Sequence, residues 1–269
     1  MHLKIQGHTL FADTAGVDHH PNLPTAMFIH GVLNDHRVWQ YATPAVAASG
    51  WNVLALDLPG HGLSEGPAPS SVEAAAETVL ACLEALNITQ AALIGHSWGS
   101  LIALEAAARD ADRPSAGVCT LVMVGTAYPM RVSPVLLELA LSDPLKAIEK
   151  ISRYSHAPST DPAIVQANRS LMLSVHERKP AAHVMHTGFL ACDQYRGAEA
   201  ALNRLKCPTH WVLGRSDQMT PPVAAQSLID KVDHPNVVLV DAGHAIMSEA
   251  PEAFHQALAA ALETPSRAG

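Results

Sequence analysis

The chain has 269 residues, of which 48% are hydrophobic and 16% are charged. This balance excludes a disordered chain and predicts a globular protein with a large apolar core. The formal net charge of −8, with no run of Lys or Arg, excludes a nucleic acid as the expected partner, because such a surface repels the phosphate backbone.

Short β-rich runs alternate with helical stretches, which is typical of an α/β fold. The predicted strands are Leu3–Ile5, Thr9–Ala12, Ala26–Ile29, Asn52–Leu56, Ala91–Ile94, Cys119–Val124, Thr209–Leu213 and Val237–Val240. The predicted helices are roughly Val72–Leu86, Trp98–Arg109, Pro222–Lys231 and Ala250–Leu262. Several strands are nearly continuous apolar runs, as expected for strands covered on both faces. The sequence therefore predicts a mostly parallel, doubly wound sheet of eight strands.

The alternation stops between Thr126 and about Thr187, where a helical pattern without strands is interrupted by prolines. This segment leaves from the carboxyl end of a strand, which is the end where ligand crevices of open α/β sheets form. We interpret residues 126–187 as a helical cap inserted into a core domain of residues 1–125 and 188–269. The alternative is a helical decoration with no role at a site.

The remaining composition favours a reduced compartment and argues against a metal. The four cysteines are outside C-x-x-C pairs and are expected to be buried thiols: Cys82, Cys119, Cys192 and Cys207. The histidine pairs His19–His20 and His183 with His186 lack a third ligand at suitable spacing, so we expect no structural metal. There is no secretory-signal pattern and no apolar stretch near the roughly 20 residues that cross a bilayer. We therefore expect a cytoplasmic protein without a membrane span.

The strongest local motif is G-x-S-x-G at Gly95–Gly99, which follows a predicted strand and opens a predicted helix. A sharp turn at this place displays the Ser97 hydroxyl at the end of the sheet. Glycines on either side relieve the crowding that such a turn creates. In this setting the motif predicts a nucleophilic serine.

A serine hydroxyl needs a base within hydrogen-bond reach, and the base needs an orienting partner. Asp217 and His244 each follow a late predicted strand, so both should lie at the sheet edge where Ser97 is displayed. Asp217 could instead only cap the helix that follows it. Asp193 and Asp241 are the competing carboxylates, but Asp193 lies in a helical stretch and Asp241 is expected to bind backbone. We predict Ser97, Asp217 and His244 as catalytic residues.

The oxyanion of a tetrahedral intermediate needs at least two hydrogen-bond donors. The backbone N–H of Trp98 is one candidate, since it opens the helix beside Ser97. The N–H of Val32 is the second, because Gly31 lets that loop approach the site. His30 is expected to organise this loop, and His96 to support the site by packing.

These motifs together resemble those of the α/β-hydrolase superfamily. The matching segments come in the family's order and cover nearly the whole chain: His30–Gly31, Asp57–Ser64, Gly95–Gly99, Gly214–Asp217 and Gly243–His244. The resemblance implies a serine esterase or lactonase with a helical lid. It also argues against dehalogenases and epoxide hydrolases of this fold, which carry Asp where this chain has Ser97.

The expected activity is hydrolysis of a small carboxylic ester through an acyl-serine intermediate, with no cofactor. The same residues would serve lactone or thioester hydrolysis, acyl transfer or cleavage of a carbon–carbon bond, and the sequence does not separate these reactions. A non-catalytic member that binds a small ligand is a third possibility. The sequence leaves the natural substrate and the oligomeric state open.

Overall fold

A computed structural model describes residues 1–113, 117–179 and 183–263. Its centre is one eight-stranded sheet in the order β1-β2-β4-β3-β5-β6-β7-β8. The strands are β1 His2–Ile5, β2 His8–Asp13, β3 Thr25–Ile29, β4 Asn52–Leu56, β5 Ala91–His96, β6 Val118–Val124, β7 Thr209–Gly214 and β8 Asn236–Val240. The β1–β2 and β2–β4 pairs are antiparallel and the other pairs are parallel. The predicted fold class is confirmed.

The helices connect these strands. They are α1 Thr43–Ala48, α2 Val72–Ala85, α3 Trp98–Asp110, α4 Pro134–Ser142, α5 Pro144–Tyr154, α6 Pro162–Arg178, α7 Val184–Gln194, α8 Ala198–Leu202, α9 Gln226–Ile229, α10 Ile246–Glu249 and α11 Pro251–Leu262. The predicted helix Pro222–Lys231 is wrong in form. It is a 3-10 helix over Pro222–Ala225 followed by the single turn α9.

Apolar side chains cover both faces of the sheet. Successive residues of a strand point to opposite faces, and in β5 Leu93 packs into the layer of α2 and α3 while Ile94 packs into the layer of α11. Every residue of β3, β4 and β5 is buried. Burial on both faces explains why these strands are continuous apolar runs in the sequence.

The chain between β6 and β7 forms helices α4–α8 and, in its described part, no strand. Helices α4–α7 share an apolar cluster that includes Ile148, Met172 and Phe189 and that also buries Leu33 from the loop after β3. The Arg37 guanidinium donates to the Ser174 hydroxyl of α6 at 2.6 Å. These contacts place the helices against the loop that follows β3. Helix α7 continues past the predicted boundary at residue 187.

Among the described residues no disulfide joins the four cysteines, which are not all buried as predicted. Cys82 and Cys192 are buried, whereas Cys119 and Cys207, at the start of β6 and just before β7, are partly exposed. Burial raises the pKa of the Cys82 thiol to about 12. In the part of the chain that the structure describes, no helix has the length and apolar character needed to span a membrane.

Candidate active site

Ser97 occupies the sharp turn between β5 and α3. Its φ of 55° and ψ of −121° lie in a backbone region where residues other than glycine are strained. The flanking glycines make the turn possible: a Cβ at Gly95 would overlap the Gly99 carbonyl, and a Cβ at Gly99 would overlap the Ile29 carbonyl. The Ser97 N–H donates to the Val124 carbonyl at 2.9 Å, which ties the turn to β6.

Asp217 and His244 meet through a hydrogen bond. The His244 Nδ1 lies 2.8 Å from the Asp217 Oδ2, and both side chains are buried. Burial opposes ionisation of Asp217, but the electrostatic attraction between Asp217 and His244 and the hydrogen bonds from His244 and Thr220 outweigh it and lower the Asp217 pKa to about 2. An ionised Asp217 is an acceptor only, so the facing Nδ1 of His244 carries the proton.

Thr220 is a part of this arrangement that the sequence reasoning missed. Its N–H donates to the Asp217 Oδ1 at 2.8 Å, and its hydroxyl lies 2.7 Å from the Asp217 Oδ2 and 2.9 Å from the Gly125 carbonyl. The available signal was its position three residues after Asp217, where an aspartate commonly accepts from the backbone. Thr220 therefore fixes the orientation of the carboxylate.

Ser97 and His244 line one cavity with two lobes. The larger lobe has a volume of about 460 Å³ and the smaller about 70 Å³. The residues that line both lobes are Val32, Ser97, Ile151, Phe189, Met219 and His244. The lobes therefore meet at the predicted nucleophile and base, beneath side chains from α5 and α7.

The two predicted oxyanion donors flank Ser97. Trp98 is the first residue of α3, so its N–H lies at the unpaired start of a helix. Gly31 brings the preceding loop so close that a Cβ there would lie 3.1 Å from the Ser97 Cβ, and Val32 follows it. Within the described residues, neither the Val32 nor the Trp98 N–H has a protein acceptor.

Two buried histidines support the site, and one of them, His96, also lines the smaller lobe. The His30 Nε2 accepts from the Leu58 N–H at 3.1 Å, so its Nδ1 donates to the Gly31 carbonyl at 2.8 Å and holds the loop. The His96 Nε2 lies 2.9 Å from the His244 carbonyl and donates to it. Burial, and then the nearby His244, lower the His96 pKa to about 3, so the ring is neutral.

The competing carboxylates lie elsewhere. Asp193 on α7 accepts from the Val132 N–H at 3.0 Å. Asp241 is exposed and pairs with the Arg215 Nε at 2.9 Å. The expectation that Asp241 binds backbone is therefore wrong, because the strand end leaves its side chain in solvent beside a guanidinium.

One group of possible metal ligands occurs among the described residues. Oxygen and nitrogen atoms of Asp35, His36 and Asp57 lie within 4.8 Å of one another. The Asp57 Oδ1 accepts from the His36 N–H at 2.7 Å and lies 2.8 Å from its Nδ1, while Asp35 is paired with Arg37 at 2.6 Å. Protein donors thus occupy these carboxylates, and the group fixes the loops after β3 and β4 to each other.

Comparison with known proteins gives the family. Residues 26–257 match the model of the Alpha/beta hydrolase family. The chain therefore belongs to the alpha/beta hydrolase family, and its predicted identification as a hydrolase of that fold is confirmed.

Individual relatives differ in activity and in coverage. The chain is 29% identical over 237 residues to a pimeloyl-[acyl-carrier protein] methyl ester esterase of Neisseria meningitidis serogroup A, covering 84% of this chain and 72% of that protein. It is 34% identical over 93 residues to an epoxide hydrolase of Caballeronia sordidicola, covering 34% of this chain and 28% of that protein. The enol-lactonase of Burkholderia xenovorans LB400 superimposes with a TM-score of 0.84 at 21% identity, covering 97% of this chain and 99% of that one. At this identity the last likeness shows the fold alone.

Proposed function

We propose that this protein hydrolyses a carboxylic ester through an acyl-serine intermediate, with Ser97 as nucleophile, His244 as general base and Asp217 as the residue that orients it. One observation carries the proposal. The strained Ser97 shares its cavity with an imidazole whose Nδ1 is held at 2.8 Å by a buried carboxylate. A hydroxyl, a base and an orienting acid in this order are the requirements for an activated serine.

The protonation of His244 determines its role. Because Nδ1 donates to Asp217, the Nε2 lone pair is free to accept the Ser97 proton as the hydroxyl attacks the ester carbonyl. The imidazolium is stabilised by Asp217 and then protonates the leaving alcohol. Water attacks the acyl-serine by the same route in reverse. These steps use only side chains of the chain and need no cofactor.

The N–H groups of Val32 and Trp98 would stabilise the oxyanion of each tetrahedral intermediate. Both lie beside Ser97 and lack a protein acceptor within the described residues. A donor in this position lowers the barrier by ~3 kcal/mol. We further propose that residues 126–187 form a cap domain over the core of residues 1–125 and 188–269, since α5 supplies Ile151 to both lobes.

The same machinery would serve lactone or thioester hydrolysis, acyl transfer or carbon–carbon bond cleavage. Two lobes that meet at Ser97 favour an open-chain substrate over a lactone, because one lobe can hold the acyl half and the other the leaving group. Product analysis with an added alcohol separates hydrolysis from acyl transfer. A Ser97 in place of Asp opposes epoxide opening, despite the partial likeness to an epoxide hydrolase.

A panel of p-nitrophenyl esters of graded acyl length, with lactones alongside, tests the proposal. We expect turnover of at least one ester, and a fall on the order of 10⁶ in kcat for Ser97→Ala. Ser216→Ala is the matched control, because this exposed serine lies outside the cavity-lining residues and should retain wild-type rates. Turnover of no ester, or Ser97→Ala at the rate of the control, would refute the assignment.

A further inference from the structure

The walls of the larger lobe are apolar, yet its lining includes two cations. The apolar side chains are Val32, Met130, Val132, Val135, Leu136, Ile151, Phe189 and Met219. The cations are Arg131, in the loop after β6, and Lys150 on α5. Among the described residues that line the lobe there is no Asp or Glu, although the whole chain carries a net charge of −8. The charge of this lobe is therefore opposite to that of the protein.

Neither cation has a carboxylate partner within salt-bridge distance among the described residues. Within residues 1–113, 117–179 and 183–263, Arg131 and Lys150 form no ion pair. Other arginines of the chain do pair with carboxylates: Arg37, Arg109, Arg113, Arg204 and Arg215. Lys150 is half-buried, and Tyr154, one helical turn further along α5, lines the same lobe. Two segments thus present unpaired cations to one apolar pocket.

We propose that the substrate carries a carboxylate, separated from the scissile ester by an apolar segment, and that Arg131 and Lys150 bind this carboxylate in the larger lobe. This inference rests on the proposed ester hydrolysis. An apolar chain fits the walls next to Ser97, and a carboxylate accepts charge-assisted hydrogen bonds from both cations. A neutral substrate would leave both cations, the exposed Arg131 and the half-buried Lys150, without a partner of opposite charge among the described residues.

Two pairs of esters test the proposal, since the carboxylate can lie on either half of the substrate. The first pair is the mono-p-nitrophenyl ester of suberic acid and the corresponding ester of its monoamide, which is neutral and of equal size. The second pair is the acetate of ω-hydroxyoctanoate and that of its amide. In one pair, we expect the wild-type kcat/KM to be about ten- to a hundredfold higher for the carboxylate, the range for hydrogen bonds to a charged group. Added salt should reduce this ratio.

Variants test whether the two cations cause the preference for the carboxylate over the amide. The double change Arg131→Gln with Lys150→Gln should bring the ratio of carboxylate to amide close to one. Lys146→Gln is the matched control, because Lys146 lies exposed on the same helix and does not line the lobe, and it should keep the wild-type ratio. A preference that survives the double change would overturn the assignment to these residues.

The result separates this inference from the proposed function. Turnover of the amide esters without a preference for either carboxylate would overturn the inference and leave ester hydrolysis standing. Turnover of none of the four esters would overturn the inference, and it would overturn ester hydrolysis as well only if the graded p-nitrophenyl panel is also left uncleaved.

Discussion

Replacing Asp217 with Asn keeps the size of the side chain and removes its charge. In the folded chain the carboxylate lies 2.8 Å from the N–H of Met219, the N–H of Thr220 and the His244 Nδ1. An amide has a single acceptor oxygen, so one side of the new side chain would present N–H to groups that are themselves donors. If that side faces His244, the imidazole must move its proton to Nε2, and it can no longer accept the proton of Ser97.

The structure gives two magnitudes for Asp217→Asn. Loss of the correct tautomer should lower kcat by about 10⁴-fold, as in other Ser-His-Asp sites. The Asp217 pKa of about 2, against an ordinary value of 3.8, corresponds to roughly 2 kcal/mol of unfolding free energy. Because this pKa is lowered on folding, the contribution is present above about pH 4 and is lost as the pH falls through about 2. The stability difference that comes from this charge should therefore be complete at pH 7 and mostly lost by pH 2.

Rates on a p-nitrophenyl ester and urea unfolding at several pH values measure both effects. Asp241→Asn is the control, since Asp241 is exposed and pairs only with Arg215 among the described residues. Asp241→Asn should change kcat by no more than about twofold and the unfolding free energy by no more than about 0.5 kcal/mol. A kcat for Asp217→Asn within tenfold of wild type would refute the orienting role.

Two other changes test the turn and the support of the base. Gly99→Ala should cost about 3 kcal/mol or more in unfolding free energy, because its methyl group would overlap the Ile29 carbonyl. Gly7→Ala is the control and should cost about 1 kcal/mol, since there is open space around Gly7. Equal costs of the two changes in urea unfolding would contradict the overlap at Gly99. His96→Phe removes the hydrogen bond to the His244 carbonyl and should lower kcat about five- to tenfold with KM within twofold, and an unchanged kcat would show that this bond does not position the base.

The sequence was sufficient for the features that local chemistry determines. The core strands are buried on both faces, so their apolar runs stand out without any knowledge of neighbours. The turn at Ser97 was predictable because only glycine fits at positions 95 and 99, where neighbouring carbonyls exclude a Cβ. The hydrogen bond between Asp217 and His244 follows from their places after strands that end at one edge of the sheet.

Features set by tertiary packing were not predictable in this way. The six-residue helix α1 is too short to show a periodic pattern. The region after Pro221 forms a 3-10 helix and a single α-helical turn instead of the predicted helix. Arg131 and Lys150 lie 19 positions apart in the sequence, and only the fold brings both to the lining of one lobe.

Labelling with a fluorophosphonate probe tests the central claim most directly, because the probe reacts much faster with an activated serine than with other side chains. We expect a single adduct on Ser97, identified by peptide mass spectrometry. The adduct should be absent from Ser97→Ala and should form at least a thousandfold more slowly in folded His244→Ala. Labelling of another residue, or of Ser97 at an undiminished rate without the imidazole at position 244, would contradict the central claim.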